Sequence, residues 1–454
     1  MNSNNKSFNN NKVLLIGLMI SAVLLGGCGG HDIKTIVNPI PPAKPQPPFI
    51  VTPTPSVSGA YTLSGTISGL TLSDLIVVDQ LSGKTTTIQK GSKNFTLNNG
   101  DSFLENGAKY ALVLASTLSV NKQNACSMVN GAGVALKNVT NVQITCTTPI
   151  ATRLAGADET GVELDGRGTA AVFGDSDTSI LDVSGNFWVG GQGTLRKVTA
   201  GGDVSTPIFN DDENFYNFVP SFIHAFAVDQ HNNLYTSSGL ILSTLGTSKK
   251  FLSRLPFGTE IKGMAFDSKG NLYISDKTLH LIYKLPPAGA AVVFAGSGLP
   301  GLIDSQGKSA SFDFSGSYDG YLAIDSHDNI YVTERANEDI RKITAEGVVS
   351  TFTNSDSAIL AGFGPDNFGI SSGAIAIDAH DNLYILNTSI ESVFKVTPSG
   401  QVSTLISSGV LTLADGSFGH YAIRSISVNA TGDLTLIRGS MGKGSGQVLT
   451  IKFK

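Results

Sequence analysis

The residues most able to do chemistry lie in a short polar motif within the last two thirds of the chain. In the stretch 320–350 the motif reads Asp325-Ser-His327-Asp-Asn329, followed by Ile-Tyr331. Taken alone, these oxygen and nitrogen donors could form a metal-ligand cluster. The motif recurs, however, and a feature that returns in every repeat is first interpreted as part of the repeating unit. The motif is therefore predicted to build turns.

Six copies of the pattern Asp-x-x-x-Asn occur, each followed by an apolar residue and, in five copies, an aromatic one. Each copy is typical of two β-strands joined by a tight turn, in which Asp and Asn side chains can bind the turn backbone. Repeats of roughly 40–50 residues with four strands each indicate a β-propeller. The copies begin at Asp182, Asp229, Asp267, Asp325 and Asp378 and, in degenerate form, at Asn429.

The two ends of this array are predicted to meet. The sixth copy stops after its third strand, and residues 151–156 resemble the fourth strand of the third copy at 292–296. Strands from both ends would then share one blade, which closes the ring and protects its edges. The predicted fold class is all-β, with a six-bladed β-propeller of four-stranded blades at 150–454 and a small β-sandwich at 58–149.

A basic residue is predicted at the same place in the third strand of every copy. A cationic ring is one interpretation of this pattern. The favoured interpretation is structural, since a long aliphatic stem can pack between blades while its charged end stays in water. These residues are Lys197, Arg254, Lys284, Lys342, Lys395 and Lys452.

Loop lengths differ between the two faces of the predicted ring. We name the strands of each blade A to D from the central channel outward, so that A–B and C–D turns leave one face and B–C and D–A loops leave the other. The first set is short, whereas the second holds the insertions at 206–223, 236–250, 296–320, 354–373, 407–423 and 438–446. Long loops on one face of a rigid scaffold often carry recognition.

Aromatic and acidic residues are mixed in these loops, a composition that suits carbohydrate, peptide or cation binding. The alternative is that the aromatic side chains pack the loops onto the blades. The candidate binding face consists of Asp211, Asp212, Glu213, Phe215, Tyr216, Phe218, Tyr318, Asp319, Phe363, Phe368, Phe418, His420 and Tyr421.

An enzyme would require convergent metal ligands or an acid–base pair. Only His224 is placed near the start of a strand A, where Asp319 and Arg424 could join it at the channel mouth. No catalytic residue, metal site or cofactor is predicted from this set, and bound calcium or zinc has no supporting ligand set. Four other histidines lie in A–B turns or in a B–C turn, namely His231, His327, His380 and His280.

Residues 150–454 resemble NHL-repeat propellers. The resemblance is carried by the segment 164–173 (LDGRGTAAVF) and by 195–199 (LRKVT), which is similar to 340–344 (IRKIT). Segments 165–168 and 304–307 also resemble calcium loops loosely, but without the ligand spacing of an EF-hand they are better interpreted as D–A turn elements. The resemblance implies a binding platform, and the alternative is a metal-dependent lactonase or lyase, as some relatives of this fold are.

The extreme N-terminus predicts export. Two lysines and an apolar run at 13–25 precede the segment Leu25-Gly-Gly-Cys28, which resembles the bacterial lipobox. By that resemblance residues 1–27 are a signal peptide, and Cys28 is acylated and anchors the protein to a membrane. Gly29, where an aspartate would favour the inner membrane, makes an outer membrane the expected destination in a cell that has one. Residues 28–57 are rich in proline and form an extended linker.

The net charge of the chain limits the classes of partner that it can bind. The chain has 454 residues and a formal charge of −5 without a basic stripe, which argues against nucleic acid. The expected partners are the membrane, through the lipid, and a protein or glycan of the cell envelope.

Two cysteines remain in the predicted sandwich. This region has alternating strand patterns and resembles immunoglobulin-like or carboxypeptidase-regulatory-like modules. Disulfides form and persist in exported proteins, so a disulfide is expected between Cys126 and Cys146.

Overall fold

The residues that the computed structural model describes all belong to the unit 57–454. The described residues are 61–71, 74–79, 81, 84–97, 104–116, 125–147, 149–157, 162–174, 176–191, 193–211, 223–256, 258–316, 320–334, 339–353, 374–387, 392–400, 402–406, 422–439 and 446–453. Cys28 and the linker lie outside these residues. Across the described ranges there is no α-helix, and no helix that could span a bilayer.

Eight strands precede the repeat array and form two four-stranded sheets. Alternate residues such as Leu63, Val77 and Ile144 point into one core shared by both sheets, as the period of two in a half-buried strand requires. The predicted β-sandwich is present. In sheet order its strands are Asn94–Thr96, Leu63–Ser68, Val139–Thr147 and Ala125–Val129, then Lys84–Ile88, Leu75–Asp79, Ala108–Ser116 and Ala132–Ala135.

The sandwich contains the predicted disulfide. Cys126 and Cys146 are directly opposite each other on neighbouring antiparallel strands, and their sulfur atoms are 2.08 Å apart. Both side chains are buried in the shared core. The pairing predicted from the cysteine count is therefore confirmed.

Six further sheets follow, and each contains an antiparallel A–B–C–D meander. Their A strands line one central channel, so the predicted six-bladed propeller is present. From blade 1 to blade 6 the strands A–D are Ser176–Leu181, Phe187–Gly191, Leu195–Val198 and Asp203–Ser205; Phe226–Val228, Leu234–Thr236, Leu240–Leu242 and Thr247–Lys250; Ile261–Phe266, Leu272–Asp276, Leu281–Leu285 and Val292–Ala295; Leu322–Ile324, Ile330–Glu334, Asp339–Ile343 and Val348–Thr353; Ile375–Ile377, Leu383–Asn387, Ser392–Val396 and Val402–Ile406; and Ala422–Val428, Leu434–Gly439, Gly446–Phe453 and Pro149–Ala155.

Blade 6 closes the ring in the predicted way. Its strand D, Pro149–Ala155, precedes all the other propeller strands in sequence and pairs with the last strand of the chain, from Val448 opposite Ala155 to Phe453 opposite Pro149. Backbone hydrogen bonds thus tie the two ends of the array together, so that the last strand of the chain is not left as an open edge.

The repeated motif is turn chemistry, as the sequence predicted. In blade 4 the Asp325 carboxylate accepts the backbone N–H groups of His327 and Asn329 at 2.9 and 2.8 Å. It also accepts the Asn329 side-chain amide at 2.8 Å and the Tyr331 hydroxyl at 3.2 Å. One carboxylate therefore satisfies the A–B turn and fixes the aromatic residue of strand B. The same arrangement recurs around Asp182, Asp267 and Asp378.

Three of the turns also form hydrogen bonds with a neighbouring blade. Asp381 of blade 5 accepts both the N–H and the hydroxyl of Ser326 in blade 4, each at 2.8 Å, and Asp328 of blade 4 does the same with Ser268 of blade 3. Asn232 bonds blade 1 in a related way. We call these contacts turn hooks. The hook residues have positive φ angles of 61° to 67°, which asparagine and aspartate tolerate better than most residues.

The strand C cations confirm the structural interpretation in four blades and contradict the predicted alignment in two. Each of the four lysines lies over the aromatic ring of the motif, with 5.4–5.5 Å from Nζ to the ring centroid: Lys197 on Trp188, Lys284 on Tyr273, Lys342 on Tyr331 and Lys395 on Tyr384. The prediction that all six blades carry a basic residue at this position is wrong. In blade 6 the matching residue is Thr450 and not Lys452.

Blade 2 departs most from its predicted layout. Residues 236–250 were expected to be a long B–C loop, but they contain strands C and D. Arg254, expected in strand C, lies in the 3₁₀ helix Leu252–Arg254, and Ile241 takes its place opposite Tyr235. The alignment was wrong because the blade is short and its strand C has no basic residue to mark the register.

Two of the D–A connections are built around a buried arginine. Arg341 is fully buried and donates to Asp304 at 2.6 Å and to Glu334 at 2.8 Å, while Asp304 also accepts the Thr351 N–H at 2.9 Å. In blade 1, Arg196 binds Asp165 in the same manner at 2.7 Å. These carboxylates serve as turn elements, as predicted. The connections contribute the short strands Gly166–Arg167 and Ser305–Gln306 and the 3₁₀ helices Gly168–Ala170 and Gly307–Ser309.

Candidate functional site

The A strands of all six blades surround a central cavity of about 310 Å³. Its lining runs along each strand A from the D–A face toward the A–B turns. On the A–B face the motif carboxylates and the turn hooks are bonded within the fold, whereas charged residues begin the strands A at the opposite mouth. We therefore take the channel together with its D–A mouth as the candidate site.

Charged residues reach this mouth from β-bulges. Asp177, Lys262 and Arg424 each occupy a register shift near the start of strand A, where one residue has no partner on strand B. Each also lies three residues before the strand A position that pairs with the motif aromatic or its equivalent. His224 occupies the same position in blade 2 and Gly320 in blade 4. Bulges commonly redirect a side chain near a binding or active site.

The mouth on the side of blades 2 and 3 is an electrostatic cluster. Lys262, largely buried, lies 3.4 Å from the Glu260 carboxylate, and Lys277 lies 3.9 Å from the same oxygen. Partial burial and the positive charge of Lys262 lower the pKa of His224, while Asp177 and Glu260 act in the opposite direction. His224 is exposed, yet the protein around it replaces part of its hydration and so favours the neutral imidazole.

A fully buried carboxylate lies behind this cluster, at the end of strand B in blade 3. Asp276 accepts the N–H groups of Thr278, Leu279 and Glu260. Burial raises the pKa of Asp276 and outweighs these three hydrogen bonds, which lower it. Asp276 was not singled out in the sequence, since an aspartate at a strand end followed by Lys-Thr is an ordinary turn signal.

The other histidines do not join the mouth. His280 accepts the backbone N–H of Phe314 through Nδ1 at 2.9 Å and stacks on that ring, so it fixes a D–A loop. His231, His327 and His380 lie in the A–B turns, where their N–H groups bind the motif aspartates. Over the described part of the chain, no three His, Cys, Asp or Glu side chains converge as a metal site would require.

The predicted candidate face lies almost wholly outside the described residues. Asp211 is the exception, and only its backbone is described: it lies in the short strand Asn210–Asp211, which pairs in parallel with strand D of blade 2. Of the channel-mouth candidates, His224 and Arg424 lie at equivalent positions of blades 2 and 6, whereas Asp319 is outside the described residues. The other face residues outside them are Asp212, Glu213, Phe215, Tyr216, Phe218, Tyr318, Phe363, Phe368, Phe418, His420 and Tyr421.

Comparisons with known proteins give only distant structural matches. No protein-family profile matches the chain, and no curated protein matches it. A streptogramin B lyase structure is 11% identical over 67% of this chain and 98% of its own, with a TM-score of 0.43. A protein of unknown function from Bacteroides thetaiotaomicron is 13% identical, covers 84% of this chain and 90% of its own, and has a TM-score of 0.48. A gluconolactonase from Xanthomonas campestris is 13% identical over 68% and 97%, with a TM-score of 0.42.

These similar structures are β-propeller proteins. The propeller assignment of the present chain rests on its own six sheets. At such identities and TM-scores the likeness carries no further argument, and the lyase and lactonase activities are those of the other proteins. The function of this propeller must be argued from its own residues.

Proposed function

We propose that the chain is a lipid-anchored protein of the cell envelope whose NHL-type propeller is a binding platform for a protein, a peptide or a carbohydrate. The observation that carries the proposal is the difference between the two faces of the ring. On one face the motif carboxylates of the turns are bonded within the fold. On the other face charged residues emerge from bulges at the start of strand A.

The A–B face has little left for recognition. Its motif carboxylates each accept several hydrogen bonds within their own turn, and the hooks take up further polar groups between blades, as at Ser326 with Asp381. The D–A face carries the long connections, and its mouth presents Asp177, His224 and Arg424. Recognition is commonly placed on loops that a rigid scaffold positions, which supports this face as the platform.

The membrane part of the proposal rests on the sequence around Cys28. Acyl chains on that cysteine would hold the protein at a bilayer, with an affinity that grows by about 0.8 kcal/mol for each buried methylene. The proline-rich linker would then hold the folded part away from the membrane surface. This arrangement would leave the D–A loops accessible to envelope proteins or glycans.

A pull-down from solubilised envelope fractions tests the platform. The full chain should capture partners that a variant with Phe215, Tyr216 and Phe218 all changed to alanine does not capture. A Phe95→Tyr variant, altered in the sandwich core, is the control for general loss of integrity. The Cys28→Ser variant should be absent from the membrane fraction yet capture the same partners. Identical partners for the triple variant and the wild type would refute the loop face as the platform.

The alternative, a metal-dependent lactonase or lyase, remains a prediction from the resemblance. Metal content measured on the purified chain, together with a screen of lactones and esters, separates it from the platform. Stoichiometric metal with turnover that is lost in His224→Ala would favour the enzyme.

A further inference from the structure

The channel has a polar side and an apolar side. On the seam between blades 6 and 1 it is lined by Arg424 and by three hydroxyl groups, those of Ser179, Ser425 and Ser427. The Ser179 and Ser425 hydroxyls are 3.0 Å apart, and those of Ser179 and Ser427 are 3.4 Å apart. The hydroxyls therefore form one connected group that reaches from one blade to the next.

The lining contributed by blades 2 to 5 is largely hydrocarbon. At the layer that faces the motif aromatics, four successive blades place an alanine, and the next layer is mostly apolar as well. The side chains of these two layers are Ala227, Ala265, Ala323 and Ala376, with Phe226, Met264, Leu322 and Ile375. The seam between blades 6 and 1 also contributes apolar residues, among them Ile180 and Ile426. It differs from blades 2 to 5 in adding Arg424 and the hydroxyl groups, so a ligand in the channel would meet hydrogen-bonding groups on this side only.

Arg424 is the cation on the polar side. Its side chain is only partly buried, and across the described residues its guanidinium has no ion pair or hydrogen bond. This sets it apart from Arg196 and Arg341, whose guanidinium groups are buried and bound to carboxylates. A guanidinium offers a planar pair of donors that matches a carboxylate.

We infer that the channel binds a small organic acid, with its carboxylate on Arg424 and the seam hydroxyls and its apolar part against blades 2 to 5. The inference rests on the proposed function, because it gives the chemistry of one ligand for the same face. Asp177, next to Arg424 in the ring order, limits the local positive charge, which favours a single negative charge over a doubly charged phosphate. The cavity volume is at the lower end of the range for ligand pockets, and it favours a molecule of small size.

The test compares two probes of the same shape. Hexanoate and the neutral hexanamide are titrated against the purified full-length chain at pH 7.5, and binding is followed by saturation-transfer NMR. Hexanoate should bind at least tenfold more tightly than hexanamide. Arg424→Gln should weaken hexanoate binding about tenfold or more, the usual scale for a hydrogen bond to a charged group, and leave hexanamide unchanged. Arg424→Lys should retain part of the affinity.

Lys452→Gln is the matched control, since it removes an exposed cation of blade 6 that does not line the channel, and hexanoate should bind it as it binds the wild type. Equal affinities of the wild type for the two probes would overturn the inference, and this outcome does not depend on any variant folding. Unchanged hexanoate binding by a folded Arg424→Gln protein would overturn it too. Failure of the probe while the loop face still captures partners would remove the inference and leave the proposed function standing.

Discussion

Replacing Asp381 by glycine is expected to loosen blade 5 from blade 4. The substitution removes the carboxylate of one turn hook, which accepts the N–H and the hydroxyl of Ser326 at 2.8 Å each. It causes no backbone strain, because glycine accepts the positive φ of 61° at this position. Glycine also occupies the matching turn position in blades 1, 3 and 6, at Gly185, Gly270 and Gly432. The change therefore removes the hook, together with the contact of 3.5 Å between the Asp381 carboxylate and the exposed imidazole of His327.

The size of the effect follows from these two hydrogen bonds. Each is worth about 1 kcal/mol net at a turn that water can reach, less than a buried bond to a charge. The free energy of unfolding of Asp381→Gly should thus fall by roughly 1–2 kcal/mol after glycine's easier fit to the left-handed conformation is allowed for. Asp381→Ala should lose about 1 kcal/mol more, since its Cβ disfavours that conformation.

The stability difference between the wild type and Asp381→Gly should also depend on pH. Burial alone would raise the pKa of Asp381, but the N–H and the hydroxyl of Ser326 outweigh it and hold the pKa below its ordinary value. A carboxylate with a lowered pKa in the folded state stabilises the protein above its unfolded pKa of about 3.9. That stabilisation is lost as the pH falls from there through the folded pKa. The difference between wild type and variant should accordingly be present at pH 7 and shrink below pH 4.

Chemical denaturation followed by the fluorescence of Trp188, the only tryptophan, measures the effect. That residue lies in blade 1, so a shift seen there also requires that the ring unfolds as one unit. Ser326→Ala completes a double-mutant cycle, and Glu346→Gln is the control, removing an exposed charge of blade 4. A variant as stable as the wild type at pH 7 would refute the hook, as would additive effects in the cycle or an equal deficit at pH 7 and pH 3.

Two further predictions concern the sandwich and the channel mouth. Cys126→Ser should lower the free energy of unfolding of the sandwich by about 3 kcal/mol, because the loop closed to Cys146 is then free in the unfolded chain. Thermal unfolding of this variant, compared with that of the wild type under reducing conditions, measures the effect. A midpoint equal to that of the oxidised wild type would contradict the prediction. Lys262→Met should raise the pKa of His224, since it removes a positive charge and releases Glu260 from its ion pair. NMR titration of the imidazole measures this pKa, with Lys452→Met as the control. An unchanged or lower pKa would contradict the prediction.

The sequence was sufficient for the architecture because the repeat specified its own register. The aspartate and the aromatic residue six positions later mark strands A and B in five blades, so the turn, the strand order and the ring closure through residues 151–156 could all be predicted. The prediction failed where a marker was missing. Blade 2 has no basic residue in strand C, and Arg254 beyond strand D was taken for it.

The channel mouth was harder to predict, because its residues are defined by geometry and not by residue type. His224 and Arg424 were named, but Asp177 and Lys262 were not. All four occupy one structural position, three residues before the strand A residue that pairs with strand B of the motif. The bulges that create this position depend on register with strand B, and sequence periodicity does not reveal a shift of one residue.

The two faces of the ring have different roles, which is why a repeated motif and a variable site can occur in one propeller. Every A–B turn satisfies its own backbone, and three of these turns also bind a neighbouring blade through hooks such as Asp328 with Ser268. A substitution at a hook should therefore lower the stability of the ring as well as that of its own blade. At the other mouth, the residues in the three bulges have no partner on strand B, so their side chains can be Asp, Lys or Arg without a change in the pairing of the blade. A site built at such positions can change its ligand while the propeller stays the same, which is why the function here has to be sought in the differences between blades.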